Sequence, residues 1–174
     1  MSERTLAVIP ARGGSKRIPR KNLKDINGKA LVSHAIDHAV GSKEVDHTVV
    51  STEDDDIFRL CEKYEKGTPI RRPKRFATDD APVRDTIDHA IEIAEEQNDP
   101  FDVVCVVQPT SPLRNSDDID KSLRQLFFNS ALSVNSVSKY LNPPQWAVTA
   151  GEDDYLKEYF DPEILWTDSI PRSQ

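Results

Sequence analysis

The stretch AVIPARGGSKRIPRKN, residues 7–22, runs from an apolar segment into a loop that carries five cationic side chains. Residues 6–10 are apolar without interruption, which is typical of a buried strand. Gly13 and Gly14 follow, and glycines let a backbone bend so that its amide N–H groups converge on an anion. The stretch therefore predicts a strand followed by an anion-binding loop.

The rest of the chain alternates between strand and helix patterns. Apolar spacing predicts strands over residues 6–10, 47–51, 68–71, 101–107 and 131–138. It predicts helices over residues 31–40, 54–66, 83–94 and 116–128. Strands that alternate with helices favour right-handed crossovers and a mostly parallel sheet with helices on both faces. The pattern thus predicts a doubly wound α/β domain.

Three details of this pattern carry expectations of their own. FDVVCVV, residues 101–107, is apolar on both faces, as expected for a central parallel strand. Thr52 is expected to cap the second helix with Asp55 completing a capping box, and the acidic run 53–56 is interpreted as a helix start. Residues 1–174 are predicted to form one domain. Residues 140–174 are expected to be an insertion within it, because two prolines near its start end the alternation.

Composition limits the classes of partner. The chain has 174 residues, 37% of them hydrophobic, and this length and composition indicate a globular protein. Its net charge of −7 disfavours nucleic-acid or anionic-membrane partners. No apolar run reaches the roughly 18 residues of a membrane span, and the N-terminal residues lack a signal-peptide pattern. We therefore expect a cytoplasmic protein. Cys61 and Cys105 are expected to be buried free thiols rather than a disulfide or a metal site.

Ligands of doubly wound sheets bind outside the carboxyl ends of the strands. This rule selects three loops, residues 11–22, 72–82 and 108–115. The first loop fits neither the GxxxxGK[ST] spacing of P-loop NTPases nor the GxGxxG spacing of dinucleotide-binding proteins. Its glycines and cationic side chains fit a polyphosphate. A solvated turn with surface lysines is the alternative.

Four segments in this order carry a family resemblance: IPARGGSKRIPRKN, VVSTEDDDI, RRPKRFATDDAP and VVQPTSPLRNSDDID. Together they resemble the acylneuraminate cytidylyltransferase family, the CMP-sugar synthetases that activate sialic acid and related nonulosonic acids. The resemblance implies a Rossmann-like, three-layer α/β nucleotidyltransferase fold. It also implies transfer of CMP from CTP to the anomeric hydroxyl of a nonulosonic acid of the sialic, legionaminic or pseudaminic type, with release of pyrophosphate.

The resemblance implies roles for particular residues. Its CTP-binding positions are Ala11, Arg12, Gly13, Gly14, Ser15, Lys16, Lys21, Asn22 and Arg72. Arg12 and Lys21 are the candidate catalytic residues, because charge accumulates on the α-phosphate and on the leaving pyrophosphate during such a transfer. The positions expected on the sugar side are Gln108, Pro109, Thr110, Ser111 and Arg172. The Arg172 guanidinium suits the sugar carboxylate as a bidentate fork.

The resemblance also implies a magnesium or other divalent ion, and a homodimer in which residues 140–174 serve the sugar side and the subunit contact. Family members continue past position 174 with an aspartate pair that carries the metal, so metal ligands are expected beyond Gln174 and none is assigned within the chain. The alternative function is a truncated or non-catalytic nucleotide-binding module of the same fold.

Overall fold

The computed structural model of the protein describes residues 3–137, 148–150 and 156–158. The chain divides into two compact units, Met1–Val134 and Asn135–Gln174. In the part of the chain that the structure describes, no helix has the length and apolar character needed to cross a membrane.

The first unit contains six strands, four α-helices and two short 3-10 turns. Its strands are β1 (Thr5–Pro10), β2 (Asp25–Ile26), β3 (Lys29–Ala30), β4 (His47–Thr52), β5 (Gly67–Arg71) and β6 (Val103–Val106). Its helices are α1 (Leu31–Val40), α2 (Asp55–Cys61), α3 (Val83–Glu95) and α4 (Ser116–Phe128). The 3-10 turns are Lys21–Leu23 and Lys74–Phe76. In the second unit, β7 (Val148–Ala150) pairs with β8 (Leu156–Glu158) in an antiparallel ribbon.

Four strands form the main sheet in the order β5-β4-β1-β6, and every pairing in it is parallel. Val8 of β1 lies opposite Val49 of β4 on one side and Val106 of β6 on the other. β2 and β3 form a separate hairpin. Its turn residues, Asn27 and Gly28, both have positive φ, which an Asn-Gly turn adopts at low cost.

Helices cover both faces of the sheet. Alternate β1 side chains point to opposite faces, so Ala7 and Ile9 pack with helices α1, α2 and α4, whereas Leu6 and Val8 pack with α3. All four side chains are fully buried. The predicted α/β fold with a parallel sheet is therefore confirmed, and it directs the carboxyl ends of β1, β4 and β6 toward one edge.

The start and length of α2 differ from the prediction. Asp54, not Thr52, is the N-cap: its side chain accepts hydrogen bonds from the N–H groups of Asp56 and Ile57. The Thr52 hydroxyl instead accepts a hydrogen bond from the Asp54 N–H at 3.1 Å. The helix ends at Cys61 and not at position 66, because the chain turns there toward β5.

Two strand predictions were also wrong. The segment 101–107 was expected at the centre of the sheet, but β6 lies at its edge among the described residues. Its side chains are accordingly only partly buried, with Val106 38% exposed. Residues 131–137 do not form a strand, and Leu132 and Val137 are almost fully exposed. The pattern alone could not reveal that these apolar side chains lack a packing face within the described chain.

Candidate functional site

A cleft of about 280 Å³ opens at the carboxyl edge of the sheet. It is bounded by the loop after β1, the segment from the second 3-10 turn into α3, and the turn after β6. Nine of the residues expected at the site line this one cleft: Arg12, Gly14, Ser15, Lys21, Asn22, Arg72, Gln108, Pro109 and Thr110. The structure thus brings the basic loop and the QPT turn together.

The basic loop is closed at its base by a side-chain bond. The Asn22 amide nitrogen donates a hydrogen bond of 2.8 Å to the carbonyl oxygen of Arg12, and Asn22 is buried. At the start of the loop, the Ala11 N–H donates to the Ser51 carbonyl of β4. Arg20 has a φ of 53°, a left-handed conformation that is uncommon for a residue with a side chain. These contacts fix where the loop leaves and rejoins the core.

The acidic segment 53–56 contacts the same loop through carboxylate side chains. Glu53 Oε1 accepts a hydrogen bond of 2.8 Å from the Gly13 N–H. The Arg20 guanidinium contacts the carboxylates of Asp54 at 3.3 Å and Asp56 at 2.6 Å. A Cβ atom on Gly13 would lie 2.7 Å from the Asp54 Cβ, so only glycine fits there without a shift. The Gly13 amide is therefore bound to a carboxylate, whereas Gly14 and Ser15 face the cleft.

Arg72 presents a buried guanidinium at the cleft. Its Nη2 donates a hydrogen bond of 2.6 Å to the Ser51 carbonyl, and its Nε donates one of 3.2 Å to the Ser51 hydroxyl. Only 7% of Arg72 is exposed. Burial lowers the pKa of this guanidinium, the negative charge of Glu53 raises it, and the positive charge of Arg12 lowers it further. Because an arginine remains charged throughout the ordinary pH range, Arg72 places a fixed cation beside the cleft.

Arg12 and Lys16 share one carboxylate across the mouth of the cleft. Arg12 Nη2 lies 2.8 Å from Asp79 Oδ1, and Lys16 Nζ lies 2.5 Å from Asp79 Oδ2. Arg12 Nη1 also donates to the Thr78 carbonyl at 3.1 Å. The hydrogen bond from Lys16 is the largest cause that lowers the pKa of Asp79, burial opposes it, and Arg12 lowers the pKa further. Both cations are thus already paired with an anion.

Lys21 differs from these two cations. It lines the cleft, is half-buried, and its ammonium group has no hydrogen-bond or ion-pair partner among the described residues. An ammonium group in that position is free to receive an anionic ligand. Together with Arg12 and Arg72, it makes the cleft locally positive in a protein whose net charge is −7.

The turn after β6 forms the opposite wall. The Val107 N–H donates to the Val8 carbonyl, which continues the β1–β6 pairing into the turn. The Arg114 Nη2 donates a hydrogen bond of 3.0 Å to the Gln108 carbonyl, and so holds the turn against the start of α4. Burial lowers the pKa of the Arg114 guanidinium, and the neighbouring Cys105 and Asp118 raise it.

Not every expected residue reaches the cleft. Ala11 is fully buried beneath it, and Gly13, Lys16 and Ser111 do not line it. Arg172 lies outside the described residues. The cleft has seven further lining residues to which no role was assigned: Pro10, Phe76, Thr78, Asp79, Ala81, Val83 and Thr86. Part of this wall falls in the loop 72–82 that the sheet topology selects, but sequence spacing gave no sign of the Asp79 ion pairs.

The described residues do not fit a magnesium site by themselves. Among them, no three His, Cys, Asp or Glu side chains come together as a group able to hold a metal. Magnesium is usually held by one or two carboxylates together with substrate phosphates. The Asp79 carboxylate at the cleft is already neutralised by Arg12 and Lys16.

Comparison with known proteins identifies the family. Residues 6–166 match the family model described as cytidylyltransferase, so the chain belongs to the cytidylyltransferase family. A pseudaminic acid cytidylyltransferase from Campylobacter jejuni is 36% identical over 153 residues, which are 88% of this chain and 66% of the relative. A CMP-N,N'-diacetyllegionaminic acid synthase from Legionella pneumophila is 36% identical over 143 residues, 82% of this chain and 61% of the relative. The chain thus spans just under two thirds of these relatives.

Solved structures agree with the fold. CMP:2-keto-3-deoxy-manno-octonic acid synthetase in complex with CTP matches with a TM-score of 0.63 and 26% identity, over 74% of this chain and 49% of that one. A 4-diphosphocytidyl-2C-methyl-D-erythritol synthase matches with a TM-score of 0.58 at 16% identity, over 73% of this chain and 56% of that one. The predicted nucleotidyltransferase fold and the predicted family are therefore confirmed.

Proposed function

We propose that this protein transfers CMP from CTP to the anomeric hydroxyl of a nonulosonic acid and releases pyrophosphate. The observation that carries the proposal is that the basic loop after β1 and the QPT turn after β6 line the same cleft. The names of the relatives support it, since two of them activate pseudaminic and legionaminic acids. The structural match that contains CTP supports the nucleotide.

The cationic side chains would bind the nucleotide's phosphates. Lys21 is free of partners among the described residues, and Arg12 lines the same cleft. During the reaction the sugar hydroxyl oxygen forms a bond to the α-phosphorus and loses its proton, while the bond between the α-phosphorus and the leaving pyrophosphate breaks. Negative charge grows on the leaving group, and fixed cations stabilise it without having to reorganise. This is the physical reason for assigning Arg12 and Lys21 a catalytic role.

The remaining lining residues would divide the cleft between nucleotide and sugar. Asn22 is proposed to read the cytosine and Arg72 to border the base and ribose. Gln108, Pro109, Thr110 and Ser111 are proposed to lie against the acceptor sugar. Ser111 would need the sugar to extend past the cleft lining, because it lies outside that lining. Arg172 is proposed to bind the sugar carboxylate.

A divalent metal, a homodimer and a cytoplasmic location complete the proposal, and the family resemblance is their support. Magnesium, when bound, would neutralise phosphate charge. The described residues form no group of three metal-ligating side chains, and the expectation that the ligands lie beyond Gln174 stays a prediction. None of the described residues is assigned a role that acts through the metal.

The second candidate is a nucleotide-binding module without catalytic activity. The cleft with its cationic side chains is the observation that supports it, because binding a nucleotide does not require turnover. It shares the cleft and the CTP site with the first candidate, so turnover separates the two.

The test is pyrophosphate release. The protein is mixed with CTP, magnesium and, in turn, sialic, legionaminic and pseudaminic acids, and pyrophosphate is measured with a coupled assay. Release that depends on one of the sugars supports the synthetase. CTP binding without release with any sugar supports the non-catalytic module, and absence of both CTP binding and release rejects both candidates.

A further inference from the structure

Asp79 bridges Arg12, which lines the cleft, and Lys16, which lies outside the lining and which the family resemblance places with the nucleotide's phosphates. Its two carboxylate oxygens contact different side chains, Oδ1 with Arg12 at 2.8 Å and Oδ2 with Lys16 at 2.5 Å. The adjoining Thr78 carbonyl accepts a further hydrogen bond from Arg12 at 3.1 Å. The Asp79 carboxylate therefore makes the contacts that two phosphate oxygens would make.

We propose that Asp79 is an internal competitor for the polyphosphate: its carboxylate pairs with Arg12 and Lys16 before a nucleotide binds and returns to them as pyrophosphate leaves. The inference rests on the proposed function, because it requires these two cations to bind phosphate. The Asp79 carboxylate would then regulate that site. It would lower the affinity for polyphosphate and so favour release of pyrophosphate.

The exposure of the three side chains suits reversible competition. The side chain of Lys16 is 84% exposed, and those of Arg12 and Asp79 are 36% and 38% exposed. Ion pairs in such surroundings are weak and screened by salt, so a multiply charged phosphate chain can displace the carboxylate. A deeply buried pair would have blocked the site instead, because separating buried charges is costly.

The position of Asp79 in the chain also suits displacement. It lies in the exposed stretch between the second 3-10 turn, Lys74–Phe76, and the start of α3 at Val83. The stretch is anchored from behind by the Thr86 hydroxyl, which donates to the Phe76 carbonyl at 3.3 Å. Asp79 can therefore move away from the two cations without a change in the sheet or in α3.

Asp80 provides a matched control. It is the next residue, it is exposed, and it makes no ion pair among the described residues. Asp79→Asn and Asp80→Asn remove the same charge from the same loop. Only Asp79→Asn removes a carboxylate that contacts Arg12 and Lys16. The difference in affinity between the two variants therefore measures the effect of that contact, apart from the general effect of a lost negative charge.

The experiment is calorimetric titration of the whole chain with CTP and, separately, with inorganic pyrophosphate. We expect Asp79→Asn to bind each about two- to tenfold more tightly than the wild type, as the loss of two exposed ion pairs predicts. Asp80→Asn should gain less. The advantage of Asp79→Asn should shrink in 0.5 M salt, and it should also shrink in a Lys16→Met background, where one of the two contacts is absent.

The outcomes separate the two proposals. If the wild type binds CTP but Asp79→Asn binds no more tightly than Asp80→Asn, the competitor is rejected and the proposed function stands. If neither the wild type nor Asp79→Asn binds CTP or pyrophosphate, the proposed function fails and the competitor falls with it. Binding by Asp79→Asn alone would support both.

Discussion

The Glu53 carboxylate accepts a hydrogen bond of 2.8 Å from the backbone N–H of Gly13, so an acidic residue after β4 holds the first part of the basic loop after β1. The neighbouring Asp54 packs against the same glycine and is also the N-cap of α2. One short acidic segment therefore starts a helix and supports the proposed phosphate-binding loop. The interpretation of residues 53–56 as a helix start was incomplete for this reason.

Replacement of Glu53 tests this support. In Glu53→Ala the Gly13 N–H loses its acceptor, and we expect CTP affinity to fall about tenfold, because the loop is no longer held in place. Glu53→Gln keeps an acceptor oxygen and should bind CTP more like the wild type. Affinity is measured by calorimetric titration.

The control for Glu53 is Glu62→Ala, which removes an exposed glutamate from the end of α2. It should leave CTP affinity unchanged. Equal affinities for Glu53→Ala and Glu62→Ala would show that the Gly13 contact does not position the loop.

Gly13→Ala tests the close approach between the loop and Asp54. The added Cβ would lie 2.7 Å from the Asp54 Cβ, so either the loop or the start of α2 must move. We expect the free energy of unfolding to fall by about 1–3 kcal/mol, the usual cost of overpacking. Urea unfolding followed by circular dichroism measures it.

Gly14→Ala is the matched control for stability. A Cβ at Gly14 would meet no atom within 4 Å. Its free energy of unfolding should stay within about 0.5 kcal/mol of the wild type. If both alanine variants lose the same stability, the contact with Asp54 is not the cause.

Arg12→Ala and Lys21→Ala test the catalytic assignment in a form of the protein that releases pyrophosphate from CTP. Each should lower kcat/KM by an amount equivalent to about 2–4 kcal/mol, as expected for loss of a group that stabilises transition-state charge. Lys24→Ala serves as a control because Lys24 is exposed outside the cleft. Unchanged kcat/KM in Lys21→Ala would contradict its assigned role.

Asp120 predicts a pH dependence of stability. Its buried carboxylate accepts hydrogen bonds from the Ser42 hydroxyl at 2.5 Å and from the Lys43 N–H at 2.9 Å. Burial alone would raise the pKa of Asp120, but the hydrogen bonds and the nearby Arg124 outweigh it and lower the pKa below the ordinary 3.8. The folded state therefore binds a proton at Asp120 less tightly than the unfolded state does. The stabilisation by the Asp120 carboxylate is complete above its ordinary pKa and is lost as the pH falls through the lowered pKa of the folded state.

Asp120→Asn should therefore lose about 1–2 kcal/mol of unfolding free energy at pH 7, and its deficit should shrink below about pH 3.8. Asp117→Asn, an exposed position at the start of the same helix, is the control and should show a smaller deficit at pH 7. A deficit for Asp120→Asn that stays constant down to pH 2 would contradict the role of the charge.

The sequence predicted most of the fold because its elements have strong local signals. The bounds of α1 and α4 and the position of β1 follow directly from apolar spacing, and polar residues also mark the start of α4. Prediction from the sequence failed where packing between distant segments determines the position of an element. Within the described ranges β6 lies at the edge because only β1 pairs with it there, and no local pattern encodes that pairing.

The candidate site shows the same division. Glycines and clustered cations marked the loop after β1, and the rule about strand ends marked the other two loops. The contacts of Glu53 with Gly13 and of Asp79 with Arg12 join residues that are 40 and 67 positions apart. Both acids occur in ordinary-looking charged runs, so only the folded structure distinguishes them from surface residues.

The central claim is that the basic loop binds the phosphates of CTP, and titration of the chain with CTP tests it most directly. We expect measurable binding by the wild type and at least about tenfold weaker binding by Lys21→Ala, since the lost ammonium group has no competing partner among the described residues. Absence of binding by the wild type, or equal binding by Lys21→Ala, would contradict the claim.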